Sequence, residues 1–488
     1  MTWESLELPL LTHRIGGSAV PSPSEARLDL IDPCTGNSYG AAPIASANTV
    51  DNAVNAARKA LADPAWADIP PLAREALMHK LADALEADMD YLASLEAMDT
   101  GRPIGITKAV DVPGAVAWLR TYAGWPSKIF GSERKLASTP GEFHAFVRKE
   151  PVGVVAAVTP WNFPLILSMW KIAPALAAGC SVVLKPAPET PMSILRLADL
   201  AAEVGFPPGV INVVLGDGAV TGKLLVEHPG VAKVAFTGST ATGQRILAAS
   251  VPSLKKVTLE LGGKSPNIIF PDADLPAAIA QSAASCFFNS GQVCYAGTRL
   301  YVHKDLYEAV IMGLQEHAEQ AAIGPSWNAE CSMGPLISQA QYDKVTAMVE
   351  RAEAVGIKSV PLTHKLPEQG FYFPPTVLRD VDGSSEIARE EIFGPVLSVI
   401  PFESEQEVVA MANDSEYGLA AHVWTKDLGI AHRMSKALEA GTVFVNCVLL
   451  ADPAMPFGGY KKSGLGRENG PEALEAYLQT KSVVMALP

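Results

Sequence analysis

The chain has 488 residues, at about 150 residues per domain a prior of about three domains and ample to bury a large core, so a small disulfide-stapled scaffold is excluded. Hydrophobic residues make up 48% and charged ones 18%, and the 39 Gly and 38 Pro follow no period, which excludes disorder and fibre. A formal charge of -14, from 38 Lys and Arg against 52 Asp and Glu, argues against nucleic acid as a partner, since neutralising phosphates needs a basic surface.

The segment from Met1 to Gly17 carries Glu4 and Glu7 before its first basic residue, so no secretion signal is expected. The six cysteines, Cys34, Cys180, Cys286, Cys294, Cys331 and Cys447, are scattered without a CxxC pair. They read as reduced thiols in a cytoplasmic setting, with no metal site. From about Thr49 to Gly262 helical patterns alternate with short β-rich runs. Leu77, Leu81, Leu85, Leu92 and Leu95 mark one apolar helix face, and Leu197, Leu200, Ala201 and Val204 mark another, stopped by Gly205 and Pro207. Gly153 to Val158, Ser181 to Leu184, Val210 to Leu215, Val231 to Phe236 and Val257 to Leu261 are apolar without strict alternation, the pattern of parallel strands covered on both faces. The stretch from Pro164 to Leu184 is apolar, but Lys171, Pro174 and Gly179 interrupt it, so it reads as buried core and not as a membrane span.

After Gly262 the alternation restarts, with strands predicted at Asn267 to Phe270, Arg299 to Val302, Val396 to Ile400, His422 to Thr425 and Thr442 to Asn446. The expected architecture is α/β, with residues 1–127 and 151–262 in one domain and 263–462 in a second. Residues 128–150 and 478–488 break the helical rhythm and read as a small β arm for self-association, the alternative being a surface hairpin of a monomer.

Four places could carry chemistry. Phe236 to Gly243, F-T-G-S-T-A-T-G, joins a strand to a helix, where backbone N–H groups and glycines admit a phosphate. Gln244 follows Gly243 where a Walker A loop needs Lys, so nucleotide triphosphate hydrolysis loses its support. Glu260 ends an apolar strand, where burial raises a carboxyl pKa toward general-base use. Cys294 follows Gly291 in a turn, an exposed backbone position that lowers a thiol pKa. Asn162, between Pro160 and Pro164, offers an amide donor to an oxyanion. Each also has a structural reading: a ligand-free turn, a solvated Glu, an inert Cys, a turn Asn.

Taken together, T-P-W-N-F-P at 159–164, K-P-A-P-E-T-P at 185–191, F-T-G-S-T at 236–240, L-E-L-G-G-K at 259–264, G-Q-V-C at 291–294, E-E-I-F-G-P at 390–395 and P-F-G-G-Y-K-K-S-G at 456–464 resemble the NAD(P)-dependent aldehyde dehydrogenase superfamily over almost the entire chain. The resemblance implies a Rossmann-like cofactor domain, a second α/β catalytic domain and a β oligomerisation arm, in a homodimer or homotetramer. It implies Cys294 as the nucleophile that passes through a thiohemiacetal and a thioester, Asn162 with the Cys294 N–H as oxyanion donors, and Glu260 as the base that releases the acid. A Glu at 260 separates this chain from the CoA-acylating branch.

For the cofactor, NAD with NADP open, the resemblance implies Lys185 and Glu391 at the riboses, Gly238, Ser239 and Trp161 near the pyrophosphate and Leu261 at the carboxamide, with Gly243 and Phe393 in the same motifs. Pro188 stands where many NAD-preferring relatives carry a Glu, and the acid comes one later as Glu189; a 2′-phosphate would be tolerated if Glu189 points away. The substrate tunnel falls at Phe163, Leu167, Trp170, Phe288, Tyr295 and Phe457, aromatic and uncharged. That lining, with a likeness to bacterial phenylacetaldehyde dehydrogenases around Val116 to Ile129 and Ser168 to Gly179, ranks arylacetaldehydes first. Aliphatic aldehydes come second and betaine or amino aldehydes third. Lys171 is either a proton-relay member or a side chain that snorkels to a helix surface. The competing functions are a non-enzymatic protein on this scaffold and a redox-independent cysteine hydrolase, which needs a His base; His303 is the nearest in sequence.

Overall fold

The computed structural model describes Trp3 and residues 6–488; residues 1, 2, 4 and 5, which include Glu4 and the start of the first expected domain, lie outside the described residues. The chain is mixed α/β. Five parallel strands, Val154–Val158, Ser181–Lys185, Ile211–Val213, Lys233–Thr237 and Lys256–Glu260, form the heart of an eight-stranded sheet. Residues 154–158, 181–185 and 233–237 are buried throughout, as the unalternating apolar runs require. Strand periodicity still sorts them: Val155 and Ala157 pack into one apolar layer, Val154, Ala156 and Val158 into the opposite one.

The order in this sheet runs outward in both directions from the 154–158 strand, with 181–185 on one side and 233–237 on the other. The carboxyl ends of 154–158 and 233–237 therefore flank a topological switch point, where doubly wound sheets open a crevice. Three short strands cap the edges antiparallel, Gly464–Leu465 on one side and His13–Ile15 with Ser18–Val20 on the other. None of the three stood out in the sequence, because two- and three-residue strands carry no periodicity.

Gly262 and Gly263 lead from this sheet into a second, seven-stranded one, in which 266–269, 299–303, 376–379, 396–402, 420–424 and 442–445 run parallel. A third sheet pairs Leu478–Ala486 with Phe143–Pro151 over nine residue pairs and adds Ser132–Glu133. The leucines read as a single helix face are divided between two helices, Pro71–Ala87 and Met89–Thr100, broken at Asp88. The spacing continues across the break because both helices bury leucines in the same core cluster. Helix Pro164–Ala178 is buried along its whole length and ends at Gly179, whose φ of +88° is the left-handed cap a glycine supplies without strain. No helix among the described residues is long and apolar enough to cross a membrane.

Candidate active site

A cavity of about 200 Å³ lies between the carboxyl edge of the first sheet and loops that enter the second. The first sheet contributes Trp161 and Asn162 from beyond strand 154–158, Gly238 and Ser239 from beyond 233–237, and Leu261 and Gly262 from beyond 256–260. The other side contributes Cys294, just before strand 299–303, and Glu391 and Phe393, just before 396–402. Eight of the expected site residues thus share one cavity: Trp161, Asn162, Gly238, Ser239, Leu261, Cys294, Glu391 and Phe393.

Cys294 is half-buried. Its thiol is pushed up, first by burial and then by the negative charges of Glu391 and Glu260, against the backbone N–H groups of Cys294 and Tyr295. This corrects the expectation of a lowered thiol: burial and the charges of the two carboxylates outweigh the backbone N–H groups of the turn. Asn162 is 4% exposed and its Nδ2 donates to the Gln292 carbonyl at 2.9 Å. The amide expected to be free is therefore tied by one N–H to the loop that carries Cys294, and one N–H is left over.

Glu260, 4% exposed, ends its strand with Oε2 lacking a hydrogen-bond partner. Burial lifts its pKa well above the usual carboxylate range, Glu468 adds to the rise, and Lys171 and Arg467 oppose it. A side chain at Gly458 would stand 2.8 Å from Glu260 Oε1, so the glycine leaves that carboxylate its room. Lys171 does not snorkel: it is fully buried, its Nζ donating to Thr237 Oγ1 at 2.7 Å and to Glu468 Oε1 at 3.0 Å. Glu468 was not singled out in the sequence.

On the first-sheet side, Ser239 caps helix Thr240–Ser250, its hydroxyl accepting the Thr242 N–H at 3.3 Å. Gly243 does not line the cavity. A Cβ there would meet Leu261 Cδ2 at 2.4 Å, so this glycine lets the helix approach Leu261. Lys185 also stands apart from the cavity lining. It is buried and its Nζ donates to the Pro186 carbonyl at 2.8 Å. Burial lowers it to about 8, and Glu189 followed by Asp217 opposes the fall. Glu189 is raised by burial, against its own backbone N–H and the positive charge of Lys185. Glu391 accepts the Gly263 N–H at 3.0 Å. Phe393, at a φ of +59°, meets Trp161 edge-on at 5.2 Å. Besides Pro160 and Thr237, the lining takes in Gln341 and Lys344. They were missed in the sequence, and their three-residue spacing on helix Gln339–Ala354 was the available signal.

The expected tunnel residues form two aromatic groups. Trp170 meets Phe457 edge-on at 5.2 Å and Phe457 meets Tyr295 edge-on at 5.4 Å, while Phe163 stacks on Phe288 at 6.2 Å. Leu167 packs in the same core cluster as Trp170 and Phe457. Trp118, stacked on Trp170 at 5.7 Å, and Phe444, 6.2 Å from Tyr295, extend the first group. Trp118 lies in the Val116 to Ile129 stretch named above, though neither ring was singled out there. His422, fully buried, is the histidine brought closest to the thiol loop; its Nε2 shares a 3.1 Å hydrogen bond with the Tyr295 carbonyl. With the carbonyl accepting, that nitrogen carries the proton, and burial lowers the ring to about 4. Among the described residues, no group of three or more His, Cys, Asp or Glu side chains is placed to hold a metal ion.

The aldehyde dehydrogenase family model matches residues 20–483. The phenylacetaldehyde dehydrogenase of Pseudomonas fluorescens is 45% identical over 97% of this chain and 95% of its own. An aldehyde dehydrogenase from Bacillus cereus, solved as an NAD+ complex, superposes with a TM-score of 0.95 at 42% identity, covering 98% of this chain and 97% of that one. The indole-3-acetaldehyde dehydrogenase of P. syringae, solved with NAD+ and IAA, gives 0.95 at 38% identity over 99% and 98%. The chain belongs to the aldehyde dehydrogenase family. It is an oxidoreductase that acts on aldehydes, which removes the non-enzymatic alternative.

Proposed function

We propose that the enzyme oxidises an arylacetaldehyde, phenylacetaldehyde first among them, to its carboxylic acid with NAD, and that Cys294 carries the acyl group. The single observation behind this is the cavity that brings Cys294 and Asn162 together with the capped turn at Gly238 and Ser239 and the carboxylate of Glu391. The turn fits a pyrophosphate, since the N–H groups that open helix Thr240–Ser250 face it and Gly238 adds no side chain. Lys185 and Glu391 suit ribose hydroxyls. The NAD+ complexes of the structural neighbours support the same cofactor. When bound, the nicotinamide supplies the hydride acceptor.

The Cys294 thiolate attacks the aldehyde carbon, and the oxygen of the resulting thiohemiacetal takes hydrogen bonds from the Cys294 N–H and the remaining Asn162 N–H. Loss of hydride from that carbon leaves a thioester on Cys294. Glu260, once ionised, takes a proton from water; the hydroxide attacks the thioester, the C–S bond breaks, and the acid leaves as Cys294 regains its thiolate. The rings of Trp170, Phe457 and Tyr295 offer an uncharged slot with edge-to-face places for a further ring.

We further propose that the first sheet is the cofactor domain, the second the catalytic domain, and the three-stranded sheet an arm through which copies associate as a dimer or tetramer. Phe130 beside the arm is 73% exposed and Val484 on it 56%, apolar surface that a second copy would cover. Six unpaired thiols suit a reducing, cytoplasmic setting. The test is the rise of reduced cofactor absorbance with phenylacetaldehyde, hexanal or betaine aldehyde, each with NAD and with NADP, against a Cys294→Ala control. The expected result is fastest turnover with phenylacetaldehyde and NAD and none in the variant. Faster turnover with betaine aldehyde would remove the tunnel reading and leave the reaction class standing.

A further inference from the structure

We propose that Arg102 is a positioning residue for acylation, a clamp that keeps the Asn162 turn and the Cys294 loop in register; it rests on the roles proposed above for those two residues. The sequence Thr100-Gly101-Arg102-Pro103 ends helix Met89–Thr100: Gly101 takes a φ of +73°, and Pro103 cannot continue the helix. Thr100 Oγ1 accepts the Arg102 N–H at 3.2 Å, and the side chain turns inward to 2% exposure. There every nitrogen of the guanidinium is engaged. Nη1 donates to the Asp111 carboxylate, Nη2 to the backbone carbonyl of Asn162 and Nε to Asn289 Oδ1 at 3.0 Å. The guanidinium carbon lies 4.3 Å from the centre of the Phe163 ring.

This fork fixes Asn289. With its Oδ1 held by Arg102, its Nδ2 is turned to the Asn162 carbonyl at 3.1 Å and the Gln292 carbonyl at 3.3 Å. The Gln292 carbonyl also accepts from Asn162 Nδ2 at 2.9 Å, which closes a ring of hydrogen bonds between the two loops. The loop needs such support, because Asn289 and Ser290 sit at φ of +51° and +53°, a region that side chains other than glycine adopt with strain. Lysine could not replace the arginine: it would bring a point charge to one partner, without the planar fork or the stacking face. Arg102 is not itself among the residues that line the cavity, so its effect on the thiol runs through the residues it holds, Asn162 and Asn289, with Phe163 packed on the guanidinium.

The test is a double-mutant cycle in the full-length enzyme, with Arg102→Met and Arg102→Lys made in the wild-type and Asn162→Ala backgrounds. Acylation is read twice: from the pre-steady-state burst of reduced cofactor with phenylacetaldehyde, and from p-nitrophenolate release from p-nitrophenyl acetate without cofactor. NAD affinity is read by fluorescence quenching. Arg102→Met is expected to lower both acylation rates by about 10- to 100-fold at unchanged NAD affinity, with Arg102→Lys restoring only part. In the Asn162→Ala background the same substitution should lower acylation by a smaller factor than in the wild type, because the Asn162 side chain is gone and only the bracing of the Cys294 loop through Asn289 remains to be lost. Equal losses in both backgrounds, full recovery with lysine, or a loss confined to NAD affinity would each overturn the clamp. If Arg102→Met does not fold, Arg102→Lys, which keeps a charge beside Asp111, goes through the same cycle. Failure of the underlying site reading looks different: Asn162→Ala alone would then leave acylation unchanged.

Discussion

The two banks of the cavity reach their shape by different means. On the first-sheet side, Gly238 and Ser239 sit where a parallel strand ends and a capped helix begins, and local chain chemistry suffices to form the turn. On the opposite side, Asn289, Ser290, Gly291 and Phe393 all have positive φ, and the loops are held by side chains from elsewhere: Arg102 on Asn289, Gln341 on the Phe393 carbonyl at 2.8 Å. A self-forming turn suits a ligand that arrives and leaves. A strained, externally braced loop suits a nucleophile whose position must not drift.

Cys294→Ala should lower aldehyde oxidation by at least about 10⁴-fold, because the covalent route is gone; steady-state kinetics at saturating cofactor check it. The same glycine-to-alanine change should then act oppositely on the two banks. At Gly291, φ is +72° and a Cβ would lie 2.1 Å from the Gly394 carbonyl oxygen, so Gly291→Ala should destabilise by more than about 2 kcal/mol in a denaturant titration. At Gly238 the Cβ would meet only the tip of the Phe236 ring, 2.5 Å away. Gly238→Ala should keep the fold and raise KM for NAD. Equal loss of stability at both positions would break the contrast.

The pH profile comes next. Glu260 is raised by burial and then by Glu468, and lowered by Lys171; it is a base only when ionised, so deacylation rises with pH through its pKa. Glu468→Gln removes a raising charge and should move that limb to lower pH. An unmoved or upward-shifted limb would contradict the coupling. The smallest effect belongs to Ser239→Ala, which removes the helix cap and should cost about 1 kcal/mol of stability, read from the denaturation midpoint.

Much of this was legible in the residues. Buried parallel strands announced themselves as short apolar runs without alternation, such as Val-Val-Ala-Ala-Val at 154–158 and Val-Ala-Phe at 234–236, and the motifs at the strand ends marked the cavity. Contacts between distant parts of the chain were not legible. Nothing near Arg102 in sequence signals Asn162, 60 positions away, or Asn289, 187 away; Glu468 meets Lys171 across 297 positions. The thiol environment was misjudged for the same reason: Glu391 and Glu260 approach Cys294 only in the folded protein. The division of the leucine-rich stretch at Asp88 escaped because both helices face one core, so the apolar spacing runs on across the break.

The most direct test of the central claim is intact-protein and peptide mass spectrometry of Glu260→Gln after one exposure to phenylacetaldehyde and NAD, with reduced cofactor counted in the same sample. One phenylacetyl group per chain is expected on the peptide that contains Cys294, matched by one equivalent of reduced cofactor, with further turnover slowed because the water-activating base is gone. Reduced cofactor without an acylated Cys294, or acylation at another residue, would contradict the claim.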